Sequence, residues 1–274
     1  SNFAQPFNQY GISPKYKWAT AHIGYRNMTF SELTLAGHTF LGAGVELTPG
    51  KWKIGAMYGR LRRPIEESDA AAESAQPAYK RMGAGVMVGY DQKGDLLEVS
   101  LFRASDVLNS IRPFLDENTT VSTESYLVIG VHGKKKIAKK LDIEAEYARS
   151  AVTRDIRSPL AENNGSIASF GPIFPQKTSS TVRPALQGKI SYKGKSYNLN
   201  LKYRRIATDY RTLGAYFFNN DLEDATFNLT TNLFQKKVSL AGSIGGQRNN
   251  LQAEKATQNS RLIGSVNLGY APNQ

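Results

Sequence analysis

The sequence predicts an all-β protein, namely an antiparallel up-and-down transmembrane β-barrel with about twelve strands in this stretch. Three observations predict this class. Apolar and polar residues alternate with a period of two, aromatic residues stand at the ends of the apolar faces, and the connections alternate between long and short. The pattern also fits a stretch that forms one part of a larger barrel.

The hairpin at 186–205 shows the alternation most clearly. In its second arm Tyr197, Leu199, Leu201 and Tyr203 occupy one face, whereas asparagine, lysine and arginine occupy the other. In a soluble sandwich the apolar face packs into a core and needs no rings at a fixed height. In a membrane barrel that face meets lipid, and tyrosine lies at headgroup level because its ring is apolar and its hydroxyl is hydrated. The predicted lipid-facing girdle consists of Trp52, Tyr58, Tyr90, Tyr147, Tyr192, Tyr197, Tyr203 and Tyr270.

The other elements follow in order along the chain. Residues 1–14 have no periodicity and are predicted to form an irregular periplasmic lead-in, whereas residues 15–274 form the barrel as a single domain. Alternation places strands at about 15–26, 38–48, 52–58, 82–90, 97–101, 127–131, 141–147, 186–192, 197–204, 226–233, 238–244 and 262–270. The polar, alanine-rich segment 62–76 has the composition of a short helix.

The connections between these strands run long, short, long, short. Pro49-Gly50 and the lysines at 134–136 form tight turns, whereas the longest loop spans residues 150–182. Up-and-down topology places all short connections at one end. Bacterial outer-membrane barrels have short periplasmic turns and long outer loops, whereas Greek-key sandwiches mix the two lengths. The pattern therefore predicts the bacterial outer membrane as the location.

Composition excludes several classes of site. The chain has no cysteine, so it holds no disulfide, cysteine-ligated zinc or iron–sulfur centre. No apolar run approaches the roughly 18 to 20 residues of a membrane helix. The net charge of +12 is concentrated in the short turns. This favours contact of a basic periplasmic rim with outer-membrane lipid or other envelope proteins, and not with nucleic acid. We expect no cofactor.

The sequence offers little catalytic chemistry. His22, His38 and His132 lie on three separate elements, which favours structural or lumen-lining roles over a metal site or catalysis. No Gly-x-Ser-x-Gly elbow or phosphate loop is present. A Ser–His lipase is disfavoured because the parity of His132 turns it away from lipid. We predict that the protein is not an enzyme.

Charged residues mark the predicted lumen. Asp142, Glu144 and Glu146 share one face of a strand, and basic residues of the next hairpin face them. The arrangement predicts either an ion-selective constriction or an interior salt-bridge network that fills a narrow barrel, with no wide open channel. The predicted lumen-lining residues are Asp142, Glu144, Glu146, Lys189, Lys202 and Arg204.

Distinctive segments lie along the chain at 7–14, 19–26, 34–46, 55–60, 203–205, 213–221 and 248–251, and include AGHTFLGAGVE and LGAYFFNND. These segments resemble a family of large predicted outer-membrane β-barrel proteins of Bacteroidota. The resemblance covers nearly the whole chain and implies fold and location, without an assigned activity. Family members extend on both sides of such a stretch. The chain also runs past Tyr270 into Ala271-Pro272-Asn273-Gln274, where proline indicates a strand end and a turn, so we expect that Gln274 is not the end of the natural barrel.

These observations predict a non-enzymatic integral outer-membrane β-barrel of a Gram-negative bacterium. Its predicted role is that of a pore-like or structural barrel, or a subunit of a larger envelope assembly for export or surface display. One alternative is a solute porin or transporter, which conductance in planar bilayers distinguishes. The other is a soluble all-β binding protein, which would stay monodisperse without detergent.

Overall fold

A computed structural model describes residues 9–66, 76–112, 121–161, 170, 173–215, 219–234, 237–253 and 256–271. These residues form one sheet of fourteen strands, two of which have only two residues. The strands are β1 (Gly11–Ile12), β2 (Lys15–Tyr16), β3 (Ala19–Thr29), β4 (Ala36–Leu47), β5 (Trp52–Arg62), β6 (Arg81–Gln92), β7 (Asp95–Asp106), β8 (Ser125–Ile137), β9 (Leu141–Thr153), β10 (Ser180–Lys193), β11 (Tyr197–Ile206), β12 (Leu222–Leu233), β13 (Val238–Arg248) and β14 (Ser260–Tyr270).

The predicted fold class is confirmed. From β3 to β14 each strand pairs antiparallel with the next one in sequence, so the topology is up-and-down throughout. The connections alternate as predicted, from the two residues 93–94 to the long segment 154–179. Within the predicted lead-in, residues 11–12 are not irregular but form β1, which pairs with β3. The short strand β2 follows the lead-in and also pairs with β3, while residues 1–8 lie outside the described part of the chain.

Helical structure is nearly absent from the described residues. They include a short 3₁₀ turn at Leu108–Ser110. No described helix is long and apolar enough to cross a membrane. Most of the segment predicted to hold a short helix, residues 67–75, lies outside the described residues.

The two faces of the sheet differ as the alternation predicts. In β7, Leu97 is 58% exposed while its neighbour Glu98 is 9% exposed. In β9, Tyr147 is exposed between the buried Glu146 and Ala148. We call the side that carries Glu98 and Glu146 the inner face and the side that carries Leu97 and Tyr147 the outer face. The period of two follows from the pleat of a strand, which turns successive side chains to opposite sides.

The sheet is strongly curled. The N–H of Leu33, in the connection after β3, donates to Glu146 Oε1 of β9 at 3.0 Å, although β4 to β8 stand between these strands in the sheet. This contact requires the inner face to be concave, like the wall of a barrel. Among the described residues the wall is open, because β14 pairs only with β13.

Part of the inner face is an apolar core, which the sequence did not predict. Phe40 of β4, Met57 of β5 and Phe102 of β7 are buried there with Phe30 and Leu35 of the first connection. The inner face is therefore apolar in this region and polar elsewhere. The core forms because the first connection folds into the concave side and covers these side chains.

Candidate functional site in the lumen

The inserted segment, residues 30–35, enters the concave side between β3 and β4. The Phe30 N–H donates to Leu35 O at 2.8 Å, which closes the segment on itself. At its far end the Ala36 N–H donates to Gly214 O, also at 2.8 Å. Leu33, Thr34 and Leu35 are no more than 1% exposed. The inserted segment thus occupies part of the barrel interior and narrows it.

Polar contacts fix the inserted segment from two sides. On the wall side, Glu146 of β9 accepts the Leu33 N–H. On the loop side, the Tyr210 hydroxyl donates to Leu33 O at 2.6 Å, and the Thr212 hydroxyl donates to Thr34 O. Burial raises the pKa of Tyr210, and the nearby Glu146 carboxylate raises it further. The hydroxyl therefore keeps its proton and remains a donor.

Glycines on the inner face make room for the inserted segment. A Cβ atom at Gly55 of β5 or Gly85 of β6 would lie 2.9 or 2.8 Å from the ring of Phe30. A Cβ atom at Gly130 of β8 would lie 2.7 Å from Cγ2 of Thr34. Glycine in a strand often marks such a close approach. In the sequence, the inserted segment could have been predicted only from these inward glycines together with the apolar residues of the first connection.

A polar cavity of about 640 Å³ lies beside the inserted segment on the inner face. Strands β7 to β12 supply most of its wall, and Thr29, Phe30, Ser31 and Glu32 border it from the first connection. Its volume lies within the roughly 300–1,000 Å³ typical of small-molecule pockets. The cavity is therefore large enough for a small solute.

One side of the cavity carries an acidic cluster around His132. The ring nitrogens of His132 lie 3.0 Å from Glu98 Oε2 and 3.0 Å from Glu144 Oε1. Glu98 also lies 3.6 Å from the ammonium of Lys53. Both carboxylates thus have a hydrogen-bonding partner, His132, on a neighbouring strand.

Five of the six predicted lumen residues line this cavity. They are Glu144, Glu146, Lys189, Lys202 and Arg204. The sixth, Asp142, lies closer to the short-turn end, where its Oδ1 is 4.0 Å from the ammonium of Lys136.

The pairing that the sequence suggested across the lumen does not form. Arg204 donates to Asp224 on the adjacent β12 at 2.9 Å. Glu146 accepts from Leu33 and from Gln187 Nε2, the latter at 2.8 Å. Within the described part of the chain, no ion pair joins these carboxylates to Lys189 or Lys202. Charges are instead satisfied between neighbouring strands, which lie only about 4.8 Å apart.

The eight aromatic residues predicted as a girdle have side chains on the outer face. All of them except Tyr192 are exposed. Trp52 packs edge-on against Tyr90, with ring centroids 5.3 Å apart, and the Tyr192 and Tyr197 rings lie 5.9 Å apart. These four residues lie towards the short turns, whereas Tyr203 lies towards the long loops of the same wall.

The other two histidines lie away from the cavity lining. His22 bridges Ser13 at 2.8 Å and Glu46 at 3.0 Å, and His38 contacts the carbonyl of Thr39 at 2.7 Å. Among the described residues, no three histidine, aspartate or glutamate side chains cluster so as to hold a metal ion.

Comparison with known proteins finds distant likenesses among solved structures, two of which are described here. No protein-family model and no curated protein matches the sequence. The crystal structure of Pseudomonas aeruginosa OccK8 (OprE) aligns with 12% identity over 96% of this chain and 71% of its own, with a TM-score of 0.49. That of P. aeruginosa OccK10 (OpdN) aligns with 9% identity over 95% and 72%, with a TM-score of 0.46. At these TM-scores the likenesses leave the function of this chain open.

Proposed function

We propose that the chain is an integral outer-membrane β-barrel with a restricted, pore-like lumen. Two features of the wall support a membrane location. The outer face exposes a continuous set of aliphatic side chains such as Val86, Val88 and Val99, and tyrosine and tryptophan stand at the ends of this face. A soluble binding protein would leave this apolar surface in water, which disfavours that alternative.

The observation that carries the restricted pore is the inserted segment beside a polar cavity. Leu33 and Thr34 are buried against the inner wall, so the segment narrows the passage. The cavity next to it remains open to solvent and bears charged side chains. A passage of this kind admits small solutes slowly and excludes large ones.

Planar-bilayer recording tests this function. We expect the unaltered chain to give low, intermittent conductance. Replacing residues 31–34 by two glycines removes most of the inserted segment and should raise steady conductance several-fold. The matched control replaces residues 250–253, in another long-loop connection, by two glycines and should leave conductance unchanged.

A second variant tests the same function without shortening the chain, in case the shortened chain misfolds. Tyr210→Phe removes the hydroxyl that donates to Leu33 O and keeps the ring. It should increase the frequency of openings without changing heat-modifiable migration on a gel. A large steady conductance in the unaltered chain, or identical conductance in all variants, contradicts the restricted pore.

The second candidate function is that of a subunit in a larger envelope assembly for export or surface display. The open edge of β14 and the lysine-rich short turns favour it, because both can bind further protein. Purification from native membranes in mild detergent tests this role. Stoichiometric partner proteins support it, whereas recovery of the barrel alone contradicts it.

A further inference from the structure

Two lysines face the lumen cavity side by side. Lys189 of β10 and Lys202 of β11 are directly opposite in the register of the hairpin, and both line the cavity. Like charges in directly opposite positions repel, because their Cβ atoms are only about 4.5–5.5 Å apart. A group of opposite charge that lies between or beside the ammonium groups would relieve this repulsion.

The carboxylate next to this lysine pair in the register is engaged by another side chain. Glu144 is directly opposite Lys189 on β9, but its carboxylate is hydrogen bonded to His132 at 3.0 Å. Lys202 is directly opposite Thr226 on β12, which is uncharged.

The remaining nearby carboxylates are also engaged. Glu146 accepts hydrogen bonds from Leu33 and Gln187, Glu32 also accepts from Gln187, and Asp224 accepts from Arg204. No described carboxylate lies within ion-pair distance of either lysine, and both lysine side chains are exposed.

We propose that Lys189 and Lys202 form an anion-binding site for a small solute that carries a carboxylate or phosphate group. Two or three oxygen atoms on one such group can accept from both ammonium groups at once. Glu32, Glu98, Glu144 and Glu146 also border the cavity, and Glu144 lies directly beside Lys189 on β9. These carboxylates repel a second negative charge, so the preferred solute has one anionic end and an uncharged or cationic remainder.

This inference deepens the proposed function, since it names the class of solute for the same cavity. Isothermal titration of the detergent-solubilised chain with succinate monomethyl ester and with inorganic phosphate tests it at low salt. We expect saturable binding that weakens as salt rises. Lys189→Gln/Lys202→Gln should lower the affinity at least tenfold. The matched control, Lys193→Gln/Lys195→Gln, makes the same charge change in the turn of the same hairpin and should bind like the unaltered chain.

Three results would overturn the site. They are absence of binding for both probes, equal affinity in the two double variants, and loss of probe binding when phosphatidylglycerol nanodiscs are added. The last result would assign the lysines to a lipid headgroup instead of a solute. Gel migration after heating shows whether each variant is folded. Titration needs no conduction, so a failure of the restricted pore in bilayer recordings and a failure of this site are separate outcomes.

Discussion

Leu201 and Asn200 are neighbours in β11 that face opposite sides of the wall. Leu201 is 46% exposed on the outer face between Tyr197 and Tyr203, whereas Asn200 accepts a hydrogen bond from Ser191 on the inner face at 2.7 Å. If the outer face meets hydrocarbon, Leu201→Lys places a charge near the bilayer midplane and costs about 2–4 kcal/mol. Asn200→Lys should cost far less. Reversible folding into lipid vesicles measures both, and equal costs would contradict the lipid assignment.

For a single residue, the sequence predicts the face of the sheet on which the side chain lies better than it predicts the hydrogen-bonding partner of that side chain. The side depends only on parity within one strand, which is local. Partners depend on register and on the width of the lumen. Arg204 therefore meets Asp224 of the adjacent strand, and Glu146 meets the inserted segment, neither of which parity alone reveals.

Among the elements, the strands were predictable and the inserted segment was not. Each long strand carries its own alternation, and hydrogen bonding to its neighbours follows from the up-and-down order. Residues 30–35 have no period, and a connection of this length usually turns outside the sheet. Its buried Phe30, Leu33 and Leu35 find their partners on strands distant in sequence, so only the completed wall determines where the segment lies.

The recess for the inserted segment gives a prediction at the scale of the element. In Gly85→Ala the new methyl group would lie 2.8 Å from the Phe30 ring and 3.1 Å from the Phe102 ring. Such overpacking costs about 1–3 kcal/mol and should loosen the segment. Since the chain has no cysteine, Thr34→Cys provides a unique probe. We expect faster maleimide labelling of this cysteine when Gly85→Ala is present.

The control for this change is Gly242→Ala in β13. A Cβ atom there meets no atom within 4 Å. Stability and Thr34→Cys labelling should stay the same or stability should rise slightly, because glycine weakens a strand interior. If both glycine variants behave alike, the recess does not hold the segment in place.

At the scale of the whole molecule, the up-and-down topology and the two faces of the sheet were predictable, because the alternation recurs in about twelve strands. The strand pairing that closes the barrel was not predictable. The alternation of short and long connections places the strand ends correctly. Curvature arises from the twist of the strands and from the packing of the inserted segment against β9. The sequence of one strand contains no information about which strand meets it across an open edge.

The open edge of β14 gives the last prediction. Leu262, Val266 and Leu268 of β14 are between 72% and 78% exposed, more than Leu201 in the middle of the wall. Every second backbone amide of β14 points away from β13 and has no neighbouring strand among the described residues. In hydrocarbon each unpaired group costs several kcal/mol, so we expect that β14 pairs with a further strand in the native membrane.

Hydrogen exchange measures this directly. In native membranes the β14 amides should be as protected as those of β8, which has a neighbour on both sides. In the isolated chain in detergent, alternate amides of β14 should exchange rapidly. Rapid exchange of those amides in native membranes as well would show that the edge stays open, and the proposed membrane-embedded barrel would then lack the closure it needs.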